Sequence, residues 1–345
     1  MSDVDRERYV LPPDESDRIF REDIVRLYLQ GTEQAQPVSV IVAGQTGAGK
    51  TAVTDLVQRA LDQRGAWVNI NLDTYKPHHP MHAALMAADD ITAGAYTSID
   101  GHRWMDASEA YALQHRFDIV WESAMRDPRD FEDPVRRMRA ARPDGLTPHR
   151  IEVAIVATPA ALSRLGALTR YLQQVEDFGV GRFIDPAIHD ACYDGVVRSS
   201  NAIDTERLAE HVFVVRRDAT VVYSNSLGPD GAWQKPAATA AAVTAERNRP
   251  WNATETRAFQ LTVQRAEAAA RTLPAADRAA VLAEVTTIRS LAAPLLATAP
   301  SSTAARARST TATRPRQLTS GAGQQPAHLR RDATAPAPGR KPHQR

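Results

Sequence analysis

The sequence predicts an α/β fold: a P-loop architecture with a mainly parallel central sheet and helices on both faces. Three observations predict it. The apolar, β-branched run PVSVIVAG leads directly into a glycine-rich loop, GQTGAGKT. Behind that loop Val53, Leu56, Val57, Ala60 and Leu61 recur at helical spacing. Five further strand-like runs then alternate with helical stretches, the pattern of a parallel sheet with crossover helices.

In chain order, residues 1–15 read as a loose arm. DESDRIFREDIVRLYLQG places Ile19, Ile24, Leu27 and Tyr28 on one helical face, with Gly31 as a stop. The first strand is bounded by Pro37 and Gly44, and its unbroken apolar character is that of a strand buried on both faces. The helix behind the loop ends near Gly65. WVNINL (67–72) reads as the second strand and 76–116 as polar and helical. FDIVWE (117–122) reads as the third strand, and DPRDFEDPVRRMRAAR as a helix whose arginines form a solvated face. RIEVAIVAT (150–158) is the fourth strand, followed by the helix PAALSRLGALTRYLQQVEDFG. HVFVVRR (211–217) and TVVYSN (220–225) are the last two strands.

After about residue 230 the character changes to Ala-rich and helical, without strands. From Thr298 the chain is Ala/Pro/Thr/Arg-rich, with Leu318 and Leu329 its only large apolar residues, a composition that predicts disorder. The expected organisation is an N-terminal arm and helix (1–34), a P-loop domain (35–230), a helical extension (231–297) and a basic tail (298–345). No internal repeat is visible.

The 345 residues, 43% of them hydrophobic, suffice for one large domain or two ordinary ones. The net charge of +1 conceals an asymmetry. The tail from Thr298 carries nine Arg/Lys against one Asp, which leaves residues 1–297 mildly acidic. One cysteine, Cys192, rules out an intrachain disulfide and fits a reducing compartment. The charged opening MSDVDRERYVLPPDESD has no apolar core of the signal-peptide kind, and no run of 18 apolar residues exists. The expectation is a cytoplasmic protein without a membrane span. Scattered charge on a low-complexity tail makes nucleic acid an unlikely partner.

Gly44-Gln45-Thr46-Gly47-Ala48-Gly49-Lys50-Thr51 satisfies G-x-x-x-x-G-K-[ST] in full, with the strand before it and the helix after it that the motif requires. Glycines let backbone N–H groups curl toward phosphate oxygens, and the helix N-terminus adds its positive dipole end. Lys50 reaches the β- and γ-phosphates, and Thr51 places a hydroxyl on Mg²⁺. ATP or GTP binding follows. No N-K-x-D base motif and no hhhhDE acid pair is found, so neither a switch GTPase nor a typical ATPase is indicated.

The second strand leads into Asn71-Leu72-Asp73-Thr74-Tyr75. Ligands bind at the carboxyl ends of strands in open α/β sheets. An Asp there accepts a substrate proton or shares in Mg²⁺ coordination; the plainer reading is a helix-capping or turn Asp. Arg170, Arg182 and Arg198 fall between the fourth and fifth strands, where small-molecule kinases carry a lid, although surface arginines are common.

At this point an ordered set of segments resembles the zeta toxin family: VAGQTGAGKT, NLDTYKPHHP, IVWESAMR, EVAIVATPAALSRLGALTRY, GRFIDPAIHDACYDG and VVYSN, spanning roughly residues 35–226. The resemblance implies an ATP- and Mg²⁺-dependent kinase that phosphorylates the 3′-hydroxyl of UDP-N-acetylglucosamine. It implies that Lys50 neutralises the phosphates, Thr51 binds Mg²⁺ and Asp73 is the general base. It further implies that Glu122 contacts the amino sugar, that Arg126 helps hold substrate and that Arg182 is the lid arginine. Arg198 is the nearest match to a second lid arginine, a few positions earlier than the family places it. Thr97, in AYTSIDGHRW, is a candidate for the sugar pocket. The resemblance also implies an antitoxin protein covering the ATP site. One departure is Glu122-Ser123-Ala124, where the family often has Glu-Gly-Thr; a changed pocket there bears on the acceptor.

Other features read more plainly. His78, His79 and His82 form a conceivable metal cluster, but Pro77 and Pro80 break the helix that a metal pair would need. Cys192 reads as a core residue, and His189-Asp190 either orients the lid or stabilises a helix. Three rival readings remain: a kinase for another hydroxylated metabolite or nucleotide sugar, a nucleotide-dependent binding module with little phosphotransfer, and a homologue that has lost activity.

Overall fold

The computed structural model describes residues 5–88, 90–140, 145 and 147–296. Six strands, β1 (Val38–Ala43), β2 (Val68–Ile70), β3 (Ile119–Ser123), β4 (Arg150–Val156), β5 (His211–Val215) and β6 (Val221–Ser226), form one sheet. Their order is β2-β3-β1-β4-β5-β6, parallel throughout except for the antiparallel pairing of β6 with β5. All six residues of β1 are buried, as expected for a central strand covered on both faces. Ile41, Trp121, Ile155, Met138 and Val196 pack on one face; Val42, Val53, Ala154 and Val156 pack on the other.

The helices are α1 (Pro13–Ile19), running through a π-helical turn at Phe20–Val25 into α2 (Arg26–Tyr28), then α3 (Lys50–Leu61), α4 (Leu72–Tyr75), α5 (His82–Ala88), α6 (Asp90–Tyr96) and α7 (Ser98–Gln114). They continue with α8 (Arg129–Arg139), α9 (Ala160–Phe178), α10 (Pro186–Glu206), α11 (Thr239–Arg247), α12 (Ala253–Ala270) and α13 (Ala275–Ala292). Among the described residues no helix is long and apolar enough to cross a membrane.

Four expectations change. The arm is not loose from residue 5 onward. Leu11 is buried, its N–H donates to the buried carboxylate of Asp100 at 3.0 Å, and the Tyr9 carbonyl accepts from His79 Nε2 at 2.9 Å. These partners lie 70 to 89 residues away, beyond any local reading. Second, β2 is only three residues long. The Asn71 side chain accepts the Asp73 N–H at 2.9 Å and starts α4, so Asp73 lies in a first helical turn and not at a strand end.

Third, the Ala-rich extension is not a separate appendage. Trp251, Phe259, Val263, Val281, Val285 and Ile288 share one hydrophobic cluster with Leu165, Leu168 and Leu172 of α9. An Asn252–Glu255 capping box starts α12. The expected disordered tail at 298–345 lies outside the described residues. The arginines of α8 are likewise more than a solvated face. Arg137 makes a two-pronged bond to the nearly buried Glu109, at 2.7 and 2.8 Å.

Candidate active site

The phosphate loop is built by backbone geometry that only glycine adopts without strain. Gly47 has φ 76° and Gly49 φ 92°. A Cβ at Gly47 would lie 2.0 Å from the Ser163 carbonyl oxygen, and one at Gly49 2.7 Å from Cγ of Arg217. The turn is tied to β4 by two bonds through Thr158. Its hydroxyl donates to the Ala48 carbonyl at 2.7 Å, and its carbonyl accepts from Gln45 Nε2 at 2.8 Å. Gln45 is fully buried, while Thr46 is half-buried and Thr51 exposed.

Lys50 opens α3, and its Nζ donates to the Gly44 carbonyl at 2.9 Å. Burial lowers the pKa of this ammonium; the charge of Glu122 opposes that shift and Arg170 on α9 adds to it. Glu122 reaches this position because β3 pairs directly with β1, Val42 opposite Glu122, with the Gly44 N–H donating to the Ser123 carbonyl at 3.0 Å. Its Oε1 accepts the Thr54 hydroxyl at 2.7 Å. Expected as a sugar contact, Glu122 is thus held beside the phosphate loop by α3. Sequence reasoning misses Thr54, whose only signal is its place one turn after Lys50.

A second group of charged side chains gathers around Asp73. The Asp73 side chain is 79% exposed, with Lys76 Nζ 3.8 Å from its carboxylate. The Lys76 pKa is lowered, chiefly by burial; Asp73 opposes the shift and Arg182 reinforces it. Arg182, on the connection between α9 and α10, therefore shares its electrostatic neighbourhood with Lys76 and Asp73. The Arg182 N–H is held by Gln174 Oε1 at 3.1 Å.

Arg126 follows Met125, a buried residue in the left-handed region at φ 50° whose N–H donates to Ser123 Oγ at 3.1 Å. The strain re-aims the chain as it leaves β3. Arg198 donates to the Arg126 carbonyl at 3.1 Å from the exposed face of α10. It lies well into that helix, about 18 Å from its start at 1.5 Å per residue. Thr97 is fully buried and donates its hydroxyl to the Ala93 carbonyl at 3.1 Å, so it presents nothing to a sugar pocket.

The histidines have structural partners: His78 bonds the Tyr28 hydroxyl at 3.0 Å, and His79 is held by Tyr9. Cys192 is buried within α10. His189 lies between Ser163 Oγ (2.8 Å) and Asp190 Oδ1 (3.0 Å), and Asp190 pairs with Arg164, which also pairs with Glu284 of α13. This chain of contacts braces α9, α10 and α13. Beside the phosphate loop a cavity of about 780 Å³ opens between Gly166 and Arg170 of α9, Arg217 of the β5–β6 turn, and Trp251 and Phe259 of the extension. Its size is that of a nucleotide-scale pocket.

The strand order, the glycine loop and the helix behind it define a P-loop protein of the kinase-like type. The chain belongs to the Zeta toxin family, whose pattern it matches over residues 26–228. It is similar to toxin PezT of Streptococcus pneumoniae, with 22% identity over 191 residues, covering 55% of this chain and 72% of that protein. Its fold is that of a solved structure from the PezAT chromosomal toxin-antitoxin system of the same organism. The TM-score is 0.64 at 17% identity, over 76% of this chain and 99% of the other.

Proposed function

We propose that this chain is an ATP-dependent kinase that phosphorylates the 3′-hydroxyl of UDP-N-acetylglucosamine. The observation that carries the phosphotransfer reading is the glycine cradle with Lys50, Glu122 and Arg170 around it; Asp73, Lys76 and Arg182 form a second charged group, which this reading assigns to the acceptor. The acceptor rests on family membership. The positive-φ glycines, the lysine at the start of α3 and the exposed Thr51 fit a nucleoside triphosphate with Mg²⁺ on the Thr51 hydroxyl. Bound Mg²⁺ supplies charge neutralisation at the phosphates.

Asp73 accepts the proton of the sugar hydroxyl, whose oxygen attacks the γ-phosphorus in line as the bond to the β,γ-bridging oxygen breaks and ADP leaves. Lys50, Arg170 and Arg182 stabilise the charge on the transferring group. Arg198 holds the connection that carries Arg126, and Arg126 contacts the substrate. Membership of a toxin family, together with the toxin-antitoxin system of the structural relative, supports an antitoxin partner over the nucleotide site and action in the cytoplasm.

The test is incubation with Mg·ATP and UDP-N-acetylglucosamine, with mass spectrometry for a product about 80 Da heavier, the mass of one phosphoryl group. The product should vanish in Lys50→Ala and Asp73→Ala, with Mg·ATP binding kept in the latter. Mg·ATP binding without product would sink the acceptor assignment. The Ala124 departure would then direct the search to other nucleotide sugars.

A further inference from the structure

The phosphate loop is held from one side by a residue outside the segment that matches the family. Arg247, the last residue of α11, is 3% exposed. Its Nη2 donates to Gln45 Oε1 at 2.9 Å, and Gln45 is the second residue of the phosphate loop. Its Nη1 donates to the Tyr193 carbonyl in the middle of α10 at 2.8 Å, and its guanidinium carbon lies 3.8 Å from the centre of the Tyr193 ring. Among the described residues no carboxylate is hydrogen-bonded to it, and its Nε is buried without a partner. Burying a cation this way is costly, and the Tyr193 ring and two neutral acceptors offset only part of the cost.

The Gln45 amide is engaged at both ends: its nitrogen holds Thr158, which in turn holds the Ala48 carbonyl, and its oxygen takes Arg247. The loop's curl is thus fixed by a chain running Arg247–Gln45–Thr158–Ala48. The same guanidinium grips α10 at Tyr193, the residue next to Cys192.

We propose that Arg247 is a positioning residue for nucleotide binding: it makes the shape of the phosphate loop, and so the affinity for Mg·ATP, depend on the C-terminal helical extension. The inference rests on the reading of the loop as a nucleotide site. Arg247 touches no nucleotide itself; it acts through Gln45 and through α10.

The test is calorimetric Mg·ATP binding to the full chain, with folding checked by near-ultraviolet circular dichroism. Arg247→Met should bind about 10- to 100-fold more weakly, the size of a lost hydrogen bond to a charged group. Arg247→Lys should recover part of the loss. Gln45→Leu should weaken binding to a similar degree, and the Gln45→Leu/Arg247→Met double variant should be no weaker than the worse single one. Should Arg247→Met not fold, the Lys variant and Gln45→Leu give the comparison. Wild-type affinity in folded Arg247→Met, or losses that multiply in the double variant, would overturn the proposal and leave the nucleotide reading intact. A folded wild-type chain that does not bind Mg·ATP overturns both.

Discussion

The Thr54 hydroxyl donates to Glu122 at 2.7 Å, joining the helix behind the phosphate loop to the acid at the end of β3. This bond keeps a half-buried carboxylate satisfied beside the Lys50 ammonium. Removing it with Thr54→Val leaves Glu122 short of a donor, at a cost of about 1–2 kcal/mol in unfolding free energy. The same change should lower kcat, because Glu122 is then free to turn toward Lys50. Urea denaturation and steady-state kinetics on one preparation read both; unchanged kcat would mean that Glu122 needs no positioning from α3.

Asn71 caps α4 and thereby sets where Asp73 projects. Asn71→Ala should cost about 1 kcal/mol, the ordinary value of an N-cap. If Asp73 is the proposed base, Asn71→Ala reduces kcat more than it changes Mg·ATP affinity. Asn71→Ser, which keeps a capping oxygen, should restore most of both. A kcat loss that Ser does not repair would argue that Asn71 itself meets the substrate.

His189 gives the brace between α9 and α10 a pH dependence. Burial lowers its pKa, and Arg164 adds to that; Asp190 and Glu284 oppose it. Ser163 and the stacked Tyr193 complete its surroundings. The unfolded chain therefore binds this proton more tightly than the native one, so stability falls as pH drops from about 6.5 through the depressed native value. The carboxyl of Asp190 is lowered as well, so its loss of stability comes only below about pH 4, the ordinary aspartate value. In urea titrations between pH 5 and 8, His189→Gln should flatten this dependence. Parallel curves for the two proteins would rule the brace out as the sensor.

Gly195 lets α10 approach the exit of β3. A Cβ there would lie 2.0 Å from the Met125 carbonyl oxygen and 2.5 Å from that of Arg126. Gly195→Ala should destabilise the fold by about 2 kcal/mol or more, as steric conflict in a packed site does. It should also raise KM for the acceptor more than KM for ATP, because the displaced segment carries Arg126. Calorimetric melting and a KM comparison test this; a neutral substitution would show that the two elements separate freely.

The local motifs are the legible part of the site. A strand, a glycine loop and an amphipathic helix are contiguous in the chain, so the residue order alone assigns Gly44–Thr51. The alternation of strands and helices likewise predicts the parallel sheet, since short crossover connections leave few topologies. Boundaries are less legible: β2 ends at Ile70 because Asn71 prefers to cap a helix, and periodicity alone does not weigh that against strand continuation. Thr97 misleads because an isolated threonine carries no sign of burial. For Arg198, spacing along the chain does not give which face of α10 it occupies; that took the fold, which sets it against the Arg126 carbonyl.

By itself the sequence determined the fold class and the phosphate loop, because each depends on residues close together in the chain. Only the tertiary structure decided that Glu122 meets Thr54 across 68 residues, that Lys76 lies within reach of the charge of Arg182, and that Arg247 grips Gln45 across 202. It also decided that the Ala-rich extension belongs to the core of α9. Such pairings are set by how the helices pack on the sheet. Burial then makes each contact count, because a polar group withdrawn from water must find its partner wherever the fold brings one.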